Sequence, residues 1–223
     1  MNKDFCNFNE SNIYDSLGKD KVCELIKKNN VNELKSFIEK FDIYLNKYNN
    51  NDFDLLIYAI KNNASKEMVN YIIEKTDYKN LDYSIKEKIN FFSSPLFIAL
   101  SLNNFQISDL LLEKGADINA ILCNNIDIIN EEDVSLYQNP FKYFDMNVNR
   151  DCFTRDYSRA INSNVIQYLC ETETLCPQNV NYIAKHGFNT NSIRPGIIKQ
   201  LEKNKKYEYA KLISELINEG DLD

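Results

Sequence analysis

Residues 94–119 decide the fold of this chain, and they read SPLFIALSLNNFQISDLLLEKGADIN. In the second half of this stretch, apolar residues recur three and four positions apart, which is the pattern of a helix with one buried face. Ser94 is placed to cap a first helix, and Pro95 falls in its first turn, where the missing N–H costs no hydrogen bond. Gly115 can adopt the left-handed conformation that ends a second helix. The stretch therefore predicts two short helices joined by a tight turn.

Two earlier segments carry the same pattern. Residues 34–42 read LKSFIEKFD and residues 69–77 read VNYIIEKTD; like residues 107–117, each ends in Glu-Lys followed by an Asp. The Glu-Lys pairs lie roughly 35 and 39 residues apart, a period typical of helical repeats. A pair of asparagines belongs to each copy, at positions 29–30, 62–63 and 103–104. The chain is therefore predicted to stack helix-turn-helix units into a solenoid.

Residues 93–120 closely resemble the ankyrin repeat, whose pattern opens with Thr-Pro-Leu-His-x-Ala and closes with Leu-Leu-Leu-x-x-Gly-Ala-Asp-x-Asn. The resemblance implies an all-α fold, a helical-repeat solenoid of stacked ankyrin-like units. Phe97 stands where the family has histidine, and an apolar contact is expected in place of the histidine's hydrogen bond. Phe41 and Thr76 stand at the position of Gly115, so the first two repeats must end their second helices differently.

Weaker copies follow in the C-terminal part. Residues 185–191 read KHGFNTN and residues 218–221 read NEGD, both similar to the close of the clearest repeat. Gly187 and Gly220 are about 33 residues apart, and Gly115 and Gly187 about twice 36, which predicts five or six repeats, two of them degenerate. The predicted organisation is an N-terminal arm or partial cap at 1–18, three repeats at 19–120, an irregular acidic loop at 121–138, and degenerate repeats with a C-terminal cap at 139–223.

Composition and net charge argue against several classes of partner and location. The chain is 43% apolar and 26% charged, as in ordinary globular proteins, and its formal charge of −7 argues against nucleic acid or anionic lipid as the main partner. No apolar run approaches the roughly 18 residues of a membrane span, and the start resembles no secretory signal. We therefore expect a cytoplasmic monomer with no membrane association. Asparagine and lysine are abundant, and the run at residues 49–51 is interpreted as loop filler.

The cysteines and the histidine show no spacing typical of a metal-binding or catalytic site. There is no Cys-x-x-Cys and a single histidine, His186, so a zinc site lacks its usual ligand spacing. His186 precedes a helix-ending glycine, where a cation favours the helix dipole; a catalytic role is the alternative, with no partner group tied to it. Cys170 and Cys176 could form a disulfide or redox pair, but packing as small apolar residues is favoured. We predict no catalytic residue, no metal site and no cofactor. The six cysteines are at 6, 23, 123, 152, 170 and 176.

Two groups of residues are candidates for contact with a partner. Tyr44, Tyr48, Tyr78 and Tyr83 fall in the connections between repeats, which the resemblance implies are the fingers of a concave recognition surface; packing against the next finger is the alternative. Residues 150–159 hold the second group. Its arginines either pair with neighbouring aspartates on a solvated surface or bind a phosphate or acidic peptide. They are Arg150, Arg155 and Arg159.

The resemblance and the absence of a catalytic motif predict a noncatalytic protein–protein interaction module. It would bind another protein along the concave, finger-lined face, and the acidic balance suggests a partner with a basic or mixed surface. The alternative is a regulatory or host-directed effector whose atypical segment 121–172 docks onto a partner complex. An enzyme with a cysteine thiolate is a third alternative, testable by thiol labelling.

Overall fold

The computed structural model describes residues 7–50, 53–88, 91–122 and 163–220. Over these ranges the chain forms ten helices that follow one another in five pairs. They are α1 (Asn7–Lys27), α2 (Val31–Phe41), α3 (Leu55–Lys61), α4 (Lys66–Thr76), α5 (Pro95–Ser101), α6 (Phe105–Glu113), α7 (Val165–Glu171), α8 (Pro177–Lys185), α9 (Ile197–Lys203) and α10 (Tyr207–Gly220). Short 3₁₀ turns occur at Leu45–Tyr48 and Thr190–Ser192.

Each pair reverses direction at a single left-handed residue. The φ angles of these residues lie between 53° and 61°, and three of the residues are asparagines, which tolerate this conformation better than most side chains. One left-handed residue lets a helix end and the chain turn back within a few positions. The five residues are Asn29, Asn63, Asn103, Glu173 and Lys205.

Side-chain caps define where three of the first helices begin, namely α3, α5 and α7. The hydroxyl of Ser94 accepts the N–H of Phe97 at 3.3 Å, with Pro95 in the first turn of α5, so the predicted start of this helix is confirmed. Asp54 and Asn164 cap α3 and α7 in the same way. Each cap satisfies one of the N–H groups that a helix leaves without a partner at its start.

The second helices also end on left-handed residues, but at two different positions. Gly115 has φ 96°, as predicted, and α6 ends just before it. In the first two repeats the helix continues two residues further, through Phe41 and Thr76, and the following Asp42 and Asp77 take φ of 48° and 56°. The expected difference is thus a shift by one residue onto an aspartate, a residue type that also visits this conformation.

The helices stack in two layers. α3 packs on α5 and α5 on α7 in one layer, while α4 packs on α6 and α8 on α10 in the other. The buried faces merge into one apolar core, in which Phe97 is fully buried with its ring 5.5 Å from that of Tyr168. The apolar contact expected at Phe97 is confirmed. None of the helices in the described ranges has the length and apolar content needed to cross a membrane.

The helical-repeat solenoid is confirmed, with one small addition in the connection between α4 and α5. There β1 (Ile85–Lys88) and β2 (Phe91–Ser93) form an antiparallel hairpin in which Ile85 pairs with Ser93. The register shifts between Lys86 and Lys88, a local bulge. The extra length of this connection is thus folded as a hairpin.

The array that ends at residue 122 resumes at residue 163. Leu122 and Ser163 exchange two backbone hydrogen bonds of 3.0 Å, and α7 packs on α5 as the next first helix. Between Gly115 and Gly187 the described residues contribute one helix pair, α7 and α8, and the interpretation of this spacing as two repeats stays a prediction. The spacing of glycines measures chain length, whereas the number of repeats depends on which helices stack. The acidic loop predicted at 121–138 lies almost entirely outside the described residues.

The first helix crosses the predicted boundary at residue 18. It contains Gly18, whose missing side chain makes room for the hydroxyl of Tyr48 in the first connection. A Cβ at this position would lie 2.6 Å from that hydroxyl. A glycine inside a helix costs stability, and here it permits close packing of the first connection against α1.

Candidate functional site

The connections before α3 and α5 meet at a buried carboxylate. Asp54 is 4% exposed, and its Oδ1 caps α3 by accepting the N–H of Ile57 at 2.9 Å. The same oxygen accepts the hydroxyl of Tyr83 at 2.7 Å, and Oδ2 accepts the hydroxyl of Tyr78 at 2.9 Å. Both oxygens of the carboxylate therefore bind donors from the following connection, which compensates for its burial.

The two tyrosines form a rigid pair. Their rings are nearly parallel, with an angle of 2° between the planes and 5.3 Å between the centroids. Asn49 extends the network, because its Nδ2 donates to the hydroxyl of Tyr78 and its Oδ1 accepts the N–H of Leu55, both at 2.9 Å. We call Asn49, Asp54, Tyr78 and Tyr83 the Asp54 cluster. It ties two successive connections together.

Burial decides the charge states in this cluster. Loss of solvent raises the pKa of Asp54, and the hydrogen bonds from Ile57, Tyr83 and Tyr78 act in the opposite direction. Burial also raises the pKa of Tyr78 and Tyr83, and the neighbouring Asp54 carboxylate raises both further. The hydroxyls therefore remain protonated at neutral pH and serve as donors to Asp54.

The four candidate tyrosines differ in how far their side chains are exposed. Tyr78 and Tyr83 are half-buried and their hydroxyls bind Asp54, which favours the alternative in which they pack between the connections. Contact between these two residues and a partner stays a prediction. Tyr48 is 5% exposed and belongs to the core. Tyr44 is 67% exposed, and contact between this residue and a partner stays a prediction.

A second exposed aromatic residue precedes Tyr44 by three positions in the chain. Phe41, the last residue of α2, is 56% exposed, and its ring lies 5.0 Å from that of Phe37. We call Phe41 and Tyr44 the first-connection patch. Clustered exposed apolar side chains often mark interaction surfaces, whereas single ones are ordinary. Arg150, Arg155 and Arg159, the other predicted contacts, lie outside the described residues.

Asparagines make contacts that sequence reasoning missed. The Oδ1 of Asn29 accepts the N–H of Ser65 in the next repeat at 2.9 Å, and the Oδ1 of Asn119 accepts the N–H of Asn189 at 2.7 Å. With Asn49 in the Asp54 cluster, these side chains tie repeats together, so the interpretation of Asn49 as loop filler was wrong. For Asn29 the signal was its recurrence as Asn63 and Asn103 in the next two repeats, which composition alone does not show.

His186 takes part in an aromatic stack between α6 and α8. The ring of Tyr182 lies 4.7 Å from that of Phe105 and 3.9 Å from that of His186. The Tyr182 hydroxyl donates to Asp109 Oδ1, which also lies 3.7 Å from His186 Nε2. Burial, together with this aspartate, raises the pKa of Tyr182. His186 is the C-cap of α8, the helix end at which it was expected.

The described cysteines are free. Cys170 is buried, which raises the pKa of its thiol to about 12 and confirms the packing interpretation. Cys176 begins α8, and its thiol donates to Asn103 Oδ1 at 3.5 Å. In the described ranges, no group of three or more His, Cys, Asp or Glu side chains could hold a metal ion.

Comparison with known proteins agrees with this architecture. Residues 22–121 match the sequence model of ankyrin repeats in three copies, a range that contains α2 to α6 and the last turns of α1. No curated protein and no solved structure matches the chain. The matched range is also the part of the solenoid that carries the Asp54 cluster and the first-connection patch. The range 22–121 is therefore assigned to ankyrin repeats in three copies.

Proposed function

We propose that this chain is a noncatalytic module that binds another protein along the face lined by its first helices and inter-repeat connections. Ankyrin repeats are generally protein–protein interaction modules, which supports the broad class of function. The finer assignment, to this face and to Tyr44, is our proposal.

The main observation that supports this proposal is the exposure of Tyr44. Its ring is 67% exposed although both neighbouring segments are well anchored: Leu45 is 1% exposed, and the N–H of Ile43 donates to Ile38 at 3.0 Å. A tyrosine held on a rigid connection offers a large contact area and a hydroxyl while losing little conformational freedom on binding. Phe41, three positions earlier in the chain, is also exposed.

A pull-down from the cytosol of the source cell, followed by mass spectrometry, tests this assignment. It would compare wild type with Tyr44→Ala, and with Tyr207→Ala as a matched control, since Tyr207 is also exposed at 63% but lies on α10. We expect a protein that wild type and Tyr207→Ala retain and Tyr44→Ala loses. A protein retained equally by all three would contradict the assignment of the face.

The alternative, in which segment 121–172 docks onto a partner complex, also has support. Leu122 and Ser163 are hydrogen-bonded to each other, so residues 123–162 are inserted into an array that closes without them. Replacing those residues with a short Gly-Ser linker separates the two proposals. A partner lost on this replacement but retained by Tyr44→Ala would favour docking through the inserted segment.

A further inference from the structure

Cationic and aromatic side chains alternate where α1 meets α3. Lys19, Cys23 and Lys27 are spaced four residues apart and therefore share one face of α1. Lys19 Nζ lies 3.6 Å from the centroid of the Phe53 ring, and Lys27 Nζ lies 5.8 Å from that of Tyr58. We call Lys19, Cys23, Lys27, Phe53 and Tyr58 the α1–α3 strip.

The strip is continuous. The Phe53 and Tyr58 rings are 5.6 Å apart, and Cys23 lies between the lysines with a hydrogen bond to the Tyr58 side chain. Four residues of the strip are half-buried and Lys27 is exposed, so each residue keeps part of its surface accessible. Phe53 and Tyr58 also pack against the core, which supports their rings.

Nearby carboxylates are largely engaged elsewhere. Glu24 binds Lys28 at 2.5 Å and Lys21 at 3.3 Å. Asp54, the cap of α3, is buried and bound by tyrosines. Asp20 is exposed next to Lys19 in the chain. Two lysines and this one aspartate are the charged groups that act on Cys23 at the centre of the strip. Among the described side chains the balance at the strip is thus positive, on a chain whose net charge is −7.

We propose that the α1–α3 strip binds an acidic segment of a partner protein that carries aromatic or apolar side chains between its carboxylates. Carboxylates would pair with Lys19 and Lys27, and the intervening side chains would pack on Phe53 and Tyr58. The cation–π contacts already hold the lysines over the rings, so binding requires little further ordering. This inference rests on the proposed function and names the chemistry of the partner at a surface distinct from the first-connection patch.

Selection of peptides tests the proposal. A phage library of random peptides is selected on the full-length wild-type chain, and the recovered peptides are titrated against Lys19→Glu/Lys27→Glu. The matched control is Lys199→Glu/Lys203→Glu, which makes the same charge change at exposed lysines of another first helix, α9. We expect peptides rich in Asp, Glu and aromatic residues, with affinity reduced by about tenfold or more in the first variant and unchanged in the control.

A second measurement identifies the bound surface directly. Cys23 lies within the strip, so a bound peptide should slow its alkylation, while Cys176, which begins α8, serves as the internal reference. If Lys19→Glu/Lys27→Glu fails to fold by circular dichroism, Lys19→Gln/Lys27→Gln takes its place.

Three results would overturn the proposal: no enrichment of acidic residues, equal affinity for both glutamate variants, or no protection of Cys23. Preferential binding of a single-stranded oligonucleotide or of anionic vesicles to the strip would overturn it as well. A whole partner protein that is lost by Tyr44→Ala but retained by Lys19→Glu/Lys27→Glu would refute this inference and leave the proposed function standing. If no partner depends on either surface, the proposed function fails too.

Discussion

The hydroxyl of Tyr83 donates a 2.7 Å hydrogen bond to Oδ1 of Asp54, a residue 29 positions earlier that caps the first helix of the preceding repeat. This bond joins the two connections on either side of the second repeat. It assigns Tyr83 to the internal packing of the array. The aromatic residues of the connections therefore divide into those that hold neighbouring repeats together and those that face solvent.

The first prediction concerns this bond. Tyr83→Phe removes the donor and leaves a buried carboxylate oxygen with one partner fewer, which should lower the free energy of unfolding by about 1–3 kcal/mol. Urea denaturation followed by circular dichroism measures the change. Tyr44→Phe is the control, because that hydroxyl is on an exposed side chain and should change stability by less than about 0.5 kcal/mol. Equal stability of the two variants would show that the bond contributes little.

Asp54 should also give the protein a measurable pH dependence. Its pKa in the folded state is raised by burial above the ordinary 3.8, so between these two values the folded chain holds a proton that the unfolded chain has released. Within this window, the contribution of Asp54 to the free energy of unfolding decreases as pH rises. Asp54→Asn removes the titration but keeps a side-chain oxygen for capping α3.

The measurement is a urea denaturation series from about pH 3 to about pH 7 on wild type and Asp54→Asn. The difference between the two curves isolates Asp54 from the other carboxylates. We compare the slope of the free energy of unfolding against pH just above the ordinary pKa of aspartate. In this range the slope should be more negative in wild type than in Asp54→Asn. Parallel curves would mean that the hydrogen bonds offset the cost of burial.

The third prediction concerns the inserted segment. A chain in which a short Gly-Ser linker replaces residues 123–162 should keep its helical circular dichroism and a single cooperative unfolding transition. The reason is that Leu122 and Ser163 are already hydrogen-bonded and α7 packs on α5. Tyr168→Ala in the same background is the control, since it removes the buried contact with Phe97 and should cost about 3 kcal/mol or more. Two separate transitions in the linker variant would indicate that the segment couples the two halves.

The stack between α6 and α8 should contribute to the same junction. Tyr182→Leu removes ring contacts with Phe105 and His186 and the hydrogen bond to Asp109, and should lower the free energy of unfolding by about 1–3 kcal/mol. Tyr207→Leu is the matched control, since its ring is exposed on α10. If both variants unfold at the same urea concentration, the stack is energetically neutral.

Thiol reactivity offers a test of burial. Because burial raises the pKa of Cys170 to about 12, its thiolate is scarce at neutral pH, and iodoacetamide should modify it much more slowly than Cys176. Peptide mass spectrometry over a time course measures both rates, and the difference should vanish in denaturing urea. Rapid modification of Cys170 in the native protein would show that this part of α7 opens readily.

Local signals in the sequence predicted the individual repeats. Capping by Ser94, the position of Pro95 and the left-handed Gly115 depend only on residues close in the chain, and the structure confirms all three. The buried stripe of each helix follows from its apolar period, so three repeats could be recognised before any coordinates. Which tyrosines of the connections are exposed could not be predicted in this way, because the local sequence around a tyrosine does not show whether it packs inward or faces solvent.

The sequence by itself determined the helix pairs, their turns and their arrangement as ankyrin repeats, because caps, left-handed residues and apolar periodicity act over one or two helical turns. Only the tertiary structure decided that Tyr83 binds Asp54, that asparagines join successive repeats, and that Leu122 pairs with Ser163 across an inserted segment. These contacts join residues about 30 to 40 positions apart. Their geometry depends on how whole helix pairs stack, which no local pattern of residues encodes.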